Sequence, residues 1–462
     1  MLSKSNIDDL KNILKNNVLS TKEECYCYAQ DSTHIKSNIT IPDAVVFVES
    51  TEDVQRVLKY ANEHKIPVIA RGAGTNMVGA CTCNNGGIVL NFSKMNKILK
   101  FSPDDMTMTV QPGVVLDEIK KLAATKCLAY PPDPSNYKVS TIGGSIAQSS
   151  GGAKSFKYGT TKDYILSLKV VLADGTLMKL GVGIVKDAVG YHLNQLIIGS
   201  EGTLAIVVEA ELKLIPKPNS SCVIVAYFNE YKDAVNAVNS ILQSGIFPST
   251  IDFMDRNAIV TVENFMHSGL NKECECMLLI EAEGFDDSIV HAQAQLINKI
   301  LLSENAESVD IVNSIDKREK IWTARRASFA AAAQLAPDVI SDDIIVPRSK
   351  IAEMIAFCRE VCVKYNLKLC MAGHIGDGNI HPQIALNMEN DQEFKNCMDA
   401  KSEMYKKAIS LGGSVSSEHG IGIEKINFAE QMIDEAALKY MKQIKKLFDS
   451  NNILNPGKIF KI

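Results

Sequence analysis

Hydrophobic and polar positions along this chain change texture twice. The spacing over residues 7–17 predicts an amphipathic helix. A strand at 44–48, a helix at 52–63 and a strand at 67–70 follow. Between Gly72 and Gly202 glycine is dense and the elements are short and β-rich, the texture of backbone laid closely against a ligand. A strand at 210–215 and the pair Lys217-Pro218 close that region. From Ser220 onward, strands at 222–228, 277–281 and 344–346 alternate with longer helical patterns at 231–243, 288–303, 317–336, 349–365 and 391–410. This alternation predicts an α+β second domain, an antiparallel sheet with helices on one face. A last helix, 428–451, precedes the tail LNPGKIFKI.

A chain of 462 residues exceeds one ordinary hydrophobic core, so two or three domains are expected. Apolar residues at 46 % and charged residues at 22 % fit a globular protein. The net charge of −5, with no basic block, argues against nucleic acid as the main partner. No apolar run reaches the roughly 18 residues of a membrane helix, and the N-terminus lacks the pattern of a signal peptide. A cytoplasmic location is therefore expected, with the twelve cysteines reduced. Three C-x-C pairs occur, Cys25/Cys27, Cys81/Cys83 and Cys274/Cys276. None belongs to a C-x-x-C-x-x-C run, so buried thiols are expected rather than an iron–sulfur cluster.

The stretch VIARGAGTNMVGA (68–80) holds Gly72-x-Gly74, but Met77 stands where a Rossmann fingerprint needs glycine, which disfavours a nicotinamide fold. A loop of small residues can still present a row of backbone N–H groups to a pyrophosphate. A second loop (131–164) carries Gly143-Gly144 and Gly151-Gly152, and a third (197–214) carries Ser200-Glu201-Gly202 before a strand. Each alone reads equally well as a turn. Together they point to one large anionic ligand.

Two motifs in the second half concentrate chemistry: GHIGDGNIHP (373–382) and SSEHGIG (416–422). Asp377-Gly378 is a hairpin turn signal that would set His374 beside His381. Glu418 and His419 are expected at a strand end before Gly420. Two imidazoles and a carboxylate with open positions suit Fe(II), Zn(II) or Mn(II). The spacing equally allows two histidines in a polar hairpin and a surface glutamate. His192, after Gly190-Tyr191, lies near the glycine loops. The segment 318–332 reads as a helix with Trp322, Arg325 and Arg326; adjacent helical residues diverge by about 100°, so one arginine at most faces a pocket.

The ordered set R-G-A-G-T (71–75), P-P-D-P-S (131–135), T-I-G-G (141–144), K-Y-G-x-T-x-D (157–163) and G-S-E-G-T-L (199–204) resembles the vanillyl-alcohol-oxidase-type flavoprotein superfamily. It is most similar to its branch of D-lactate, glycolate and D-2-hydroxyglutarate dehydrogenases, over nearly the whole chain. The resemblance implies an α+β architecture: an FAD-binding domain at 1–218, a cap domain that binds substrate at 219–412, and a segment at 413–462 that returns to the FAD domain. It implies that Arg71, Gly72, Ala73, Gly74, Thr75 and Asn76, with Thr141, Gly144 and Ser145, hold the pyrophosphate. Pro134, Gly151, Gly152 and Ile206 would lie along the dinucleotide. Several relatives attach FAD covalently through a histidine in the first glycine loop; this loop has none, so non-covalent FAD is expected.

The same resemblance assigns His374, His381 and Glu418 to one divalent ion, His419 to the general base and Arg325 to the substrate carboxylate. It implies oxidation of a small 2-hydroxy acid, D-lactate to pyruvate foremost, by hydride transfer to flavin N5. Glycolate and D-2-hydroxyglutarate are the alternative substrates. Some relatives pass electrons to an electron-transferring flavoprotein, which is the expected protein partner here. Two rivals remain: a metal-dependent hydrolase, which leaves the glycine loops without work, and a non-catalytic electron-transfer subunit, which leaves Arg325 and the ligand cluster without work.

Overall fold

In the computed structural model, which describes residues 2–35 and 40–462, the first helix is Lys4–Leu14, earlier than its apolar stripe predicts. Ser3 explains the shift: its side chain accepts the N–H of Asn6, whose own side chain accepts the N–H of Ser3. Contacts divide the chain into two units, Met1–Gly151 with Thr160–Lys217 and Glu418–Ile462, and Gly152–Gly159 with Pro218–Ser417.

In the first unit, strands Ala44–Phe47 and Val68–Arg71 run parallel to Ile88–Asn91, which lies between them. The crossover is the helix Thr51–Glu63, started by Ser50 and buried along Val54, Val57, Leu58 and Ala61. These side chains share one core with Val46, Val68, Ile88 and Leu90. A separate antiparallel sheet orders Ile98–Ser102, Thr107–Val110, Ile206–Lys213, Ile165–Val171 and Leu177–Leu180. The strand at 206–213 alternates buried and half-buried residues, as a strand with one core face must.

The last 45 residues are stitched onto this unit by buried polar groups, which is costly unless each is satisfied. Lys445 is 2 % exposed; its Nζ donates to Asp449 Oδ2 (2.5 Å), Thr203 O (2.8 Å) and Leu454 O (2.9 Å). Asn455 Nδ2 donates to Ala80 O and Glu201 O. The single helix expected at 428–451 is two, Ile426–Met432 and Glu435–Phe448. Ile433 is extended, and Asp434 restarts the helix by accepting the N–H groups of Ala436 and Ala437.

The second unit is built on an eight-stranded sheet with antiparallel pairing. Thr250–Asp255, a strand absent from the sequence reading, sits centrally between Cys276–Gly284 and Lys368–Gly373. Helices cover both faces, not one. Val223, Val225 and Tyr227 pack with Ala258, Val262, Trp322 and Ala331, while the alternate residues Ile224, Ala226 and Phe228 are buried as well. The helices Tyr231–Gln243 and Asp287–Ser303 contact that same strand. The helix expected over 317–336 is interrupted at Ala327, between Ile315–Arg326 and Ser328–Ala332. Buried Ser328 donates to Gln383 Oε1 at 3.2 Å, a tertiary bond that local propensity does not encode. Among the described residues no helix is long and apolar enough to cross a membrane.

Candidate active site

The first glycine loop leaves the strand Val68–Arg71. Gly74 has φ +73°, and a Cβ at Gly72 would run into the Thr141 hydroxyl, so the loop and the second glycine segment approach backbone to side chain. Asn76 locks the loop: its Oδ1 accepts the N–H of Val78 and of Ala80, each at 2.9 Å. Its Nδ2 donates to His419 O at 3.2 Å. The loop walls an open cavity with about 970 Å³ of space not filled by atoms, adjoining solvent included. Gly72, Ala73, Gly74, Thr75, Asn76, Pro134, Thr141, Gly144, Ser145, Glu201, Glu418 and His419 all line it. A second cavity of about 490 Å³ shares Gly72, Thr141, Gly144 and Gly202 and adds Arg71 and Ile206. The two cavities share walls of glycine backbone, where phosphates can approach. These residues therefore fit FAD. Gly151 and Gly152 line neither cavity.

Arg71 lines the second cavity, while its guanidinium is engaged elsewhere. Its Nη2 donates to Gln30 O at 2.8 Å and its guanidinium lies over the Tyr28 ring, so a carbonyl and an aromatic face already satisfy it. Glu201 is buried at the cleft wall, and that burial pushes its carboxyl up to about 7, against the pull of the Ile421 and Gly422 N–H groups. Burial likewise pushes Lys458 down to about 8. The thiols of Cys81 and Cys83 are pushed up to about 12 by burial. His192 is exposed.

In the second unit the turn at Asp377-Gly378 does join two antiparallel strands, Lys368–Gly373 and Asn379–Leu386. Gly378, at φ +96°, has the conformation the reversal needs. The rings of His374 and His381 stand edge to face with centroids 5.2 Å apart. Each imidazole has its Nδ1 against an oxygen: His374 at 2.7 Å from Asp252 Oδ1, His381 at 3.1 Å from Asp342 O. Nδ1–H donation to those acceptors leaves the lone pair on Nε2, the tautomer of a metal-ligating histidine. The donor set thus fits a divalent ion.

Arg325 is mostly buried and places Nε 2.8 Å from Asp252 Oδ2; its Nη2 is buried with no hydrogen-bond partner among the described residues. Burial alone would raise the Asp252 carboxyl, but the Arg325 guanidinium and His374 hold it below the usual carboxylate range. Arg326 is exposed and lies over Trp322, as expected when only one of two adjacent arginines faces inward. Behind His381, Asp343 accepts from Asn379 Nδ2, Ser416 Oγ and Ser417 N, and Asp342 accepts from Tyr405 Oη with Lys401 Nζ at 3.5 Å. Ser414 pairs with Ile345 in an isolated bridge, and Glu418 and His419 follow in an irregular turn rather than at a strand end.

Sequence reasoning missed Asp252, Asp342 and Asp343, and gave Glu201 no role of its own. Their signal was available: an acid inside the apolar run TIDFMD, and a pair of acids beside IIVP, belong buried only when they hold something.

A mixed helix–sheet unit bearing a glycine-walled dinucleotide cleft, and a second unit on an antiparallel sheet, define an FAD-dependent oxidoreductase of the vanillyl-alcohol-oxidase type. Residues 42–181 match the family described as FAD binding domain, and residues 217–459 match FAD linked oxidases, C-terminal domain. The chain belongs to this family of FAD-linked oxidases. It is 39 % identical to glycolate oxidase subunit GlcD of Bacillus subtilis (strain 168), over 91 % of this chain and 89 % of that one. It is 33 % identical to D-lactate dehydrogenase of Anaerostipes hadrus, over 93 % and 92 % of the two chains. The solved structure of p-cresol methylhydroxylase with substrate bound aligns at a TM-score of 0.84, over 99 % of this chain and 96 % of that one; at 17 % identity this likeness is one of fold.

Proposed function

We propose that the protein oxidises a small 2-hydroxy acid, D-lactate to pyruvate foremost, with non-covalent FAD and one divalent ion held by His374, His381 and Glu418. The observation that carries this reading is Arg325: a buried guanidinium oriented by Asp252, with an Nη2 that has no partner among the described residues, on the same carboxylate as His374. A buried donor of that kind costs free energy until a ligand satisfies it, and a substrate carboxylate does so with charge. Relatives named glycolate oxidase and D-lactate dehydrogenase support the same substrate class. Glycolate and D-2-hydroxyglutarate are the alternatives.

Bound FAD supplies the two-electron acceptor for the substrate Cα–H bond. A divalent ion supplies Lewis acidity beside the substrate hydroxyl. Arg325 holds the carboxylate and so fixes the Cα–H direction. His419 takes the hydroxyl proton as general base, from a backbone position that Asn76 secures. Non-covalent attachment is supported by the first glycine loop, which offers no histidine.

Electrons then pass to a protein partner, an electron-transferring flavoprotein. The support is that relatives are named as subunits. Reduced thiols also fit the proposed cytoplasmic location.

The test is anaerobic addition of D-lactate, L-lactate, glycolate and D-2-hydroxyglutarate in turn to the purified yellow protein. D-Lactate should bleach the flavin fastest, and acid precipitation should release all of the FAD. No bleaching by any of the four acids would defeat the reading.

A further inference from the structure

Asp252 lies in the strand Thr250–Asp255, whose six residues are all buried, and is itself 1 % exposed. A carboxylate in such a place is costly unless both oxygens meet charged or polar donors. Here they do, and the donors come from two distant elements. Oδ1 is 2.7 Å from His374 Nδ1, in the turn after Lys368–Gly373; Oδ2 is 2.8 Å from Arg325 Nε, in the last turn of Ile315–Arg326. One carboxylate therefore orients two residues that carry different tasks in the function proposed above, an ion ligand and a carboxylate anchor.

We propose that Asp252 is a positioning residue that links ion binding at His374 to substrate-carboxylate binding at Arg325. This rests on the assignment of those two roles. The linkage follows from charge sharing. An acceptor on Nδ1 makes Nε2 of an imidazole a better ligand, and an anionic acceptor does so more strongly than a carbonyl. Arg325 draws on that same anion. With the guanidinium removed, the whole charge of Asp252 acts on His374, and ion affinity rises. With Asp252 neutral, His374 loses its anionic support and Arg325 loses the contact that aims its Nη2. Coupling between two binding events is reciprocal, so ion occupancy also alters substrate affinity by the same factor.

The experiment uses the FAD-loaded protein, stripped of ions by chelation and titrated with Mn(II) by calorimetry, with D-lactate kinetics at saturating Mn(II). Asp252→Asn should weaken Mn(II) binding about 10- to 100-fold and raise KM for D-lactate more than it lowers kcat, with FAD content and unfolding midpoint close to wild type. Arg325→Gln should tighten Mn(II) about fivefold or more, although Arg325 is not a ligand, and should leave Mn(II) affinity unchanged in the Asp252→Asn background. A purely structural ion pair would give no such sign reversal. Mn(II) affinity and KM within about twofold of wild type in Asp252→Asn overturn the proposal, as does an Arg325→Gln effect of equal size in both backgrounds. Should Asp252→Asn fail to fold, Arg325→Gln alone decides, since unchanged ion affinity overturns the linkage. Wild-type protein that takes up no divalent ion overturns the underlying assignment, a failure distinct from an uncoupled but ion-binding protein.

Discussion

The carboxylate of Glu201 accepts the backbone N–H of Ile421 at 2.7 Å, and its second oxygen accepts that of Gly422 at 2.9 Å. The third glycine loop thus grips the segment that presents Glu418 and His419 to the cleft. Burial raises this carboxyl from its ordinary 4.5 to about 7 in the folded protein. Between those values the folded state keeps a proton that the unfolded chain has released. The contribution of Glu201 to stability is therefore full below the ordinary value and is lost as pH rises through about 7, a change on the order of 3 kcal/mol. Glu201→Gln removes that titration. Urea unfolding at about pH 5 and about pH 8 should show wild type losing stability relative to Glu201→Gln at the higher pH. Parallel pH profiles for the two proteins would contradict the raised value.

The parts of this molecule that were legible in the sequence are those with local causes. The helix Asp391–Ser410 was readable to the residue, because Asn390 caps it by accepting the N–H groups of Gln392 and Glu393. The hairpin that pairs His374 with His381 was readable from Asp377-Gly378. The glycine loops were readable because backbone conformation and close approach demand glycine itself. Asp252 was legible only as an acid inside an apolar run; its pairing was not, because its partner His374 lies 122 residues away. The partner of the Arg71 guanidinium was not legible for the same kind of reason: Gln30 lies 41 residues earlier. Helices on both faces of the second sheet were missed although Val223 to Phe228 are apolar and buried without alternation, the pattern of a strand covered on both sides.

Gly74 gives a direct test of the flavin cleft. Its φ of +73° costs an L-residue about 1–2 kcal/mol, and a Cβ there would meet the Arg71 guanidinium, which Gln30 holds in place. Gly74→Ala should weaken FAD binding about 10-fold or more, read by quenching of flavin fluorescence as apoprotein is titrated with FAD. His374 and His381, in the hairpin of the second sheet, are untouched by the change. FAD affinity equal to wild type would mean that this loop does not contact the cofactor.

His381 tests the ion. Its Nδ1 is engaged by Asp342 O, so the imidazole contributes through Nε2, and an alanine at 381 removes one of three proposed ligands. His381→Ala should lose stoichiometric metal and turnover while FAD content stays at wild-type level, since the flavin cleft is lined by other residues. Elemental analysis of both proteins checks this. A variant that keeps its metal would move the ligand assignment away from His381.

His419 is the proposed base, and its surroundings make the test clean. The loop that carries it is held through main-chain groups: Asn76 Nδ2 on His419 O, and Glu201 on the N–H groups of Ile421 and Gly422. These bonds use main-chain groups of the loop, so His419→Ala should keep the FAD while removing the proton acceptor. The rate of flavin reduction by D-lactate should fall about 10²- to 10⁴-fold, the usual worth of a positioned general base. Added imidazole should restore part of it by supplying an acceptor to the vacated space. Anaerobic stopped-flow measures both effects. Flavin reduction at the wild-type rate in His419→Ala would give the proton to another residue and leave His419 as a lining residue of the cleft.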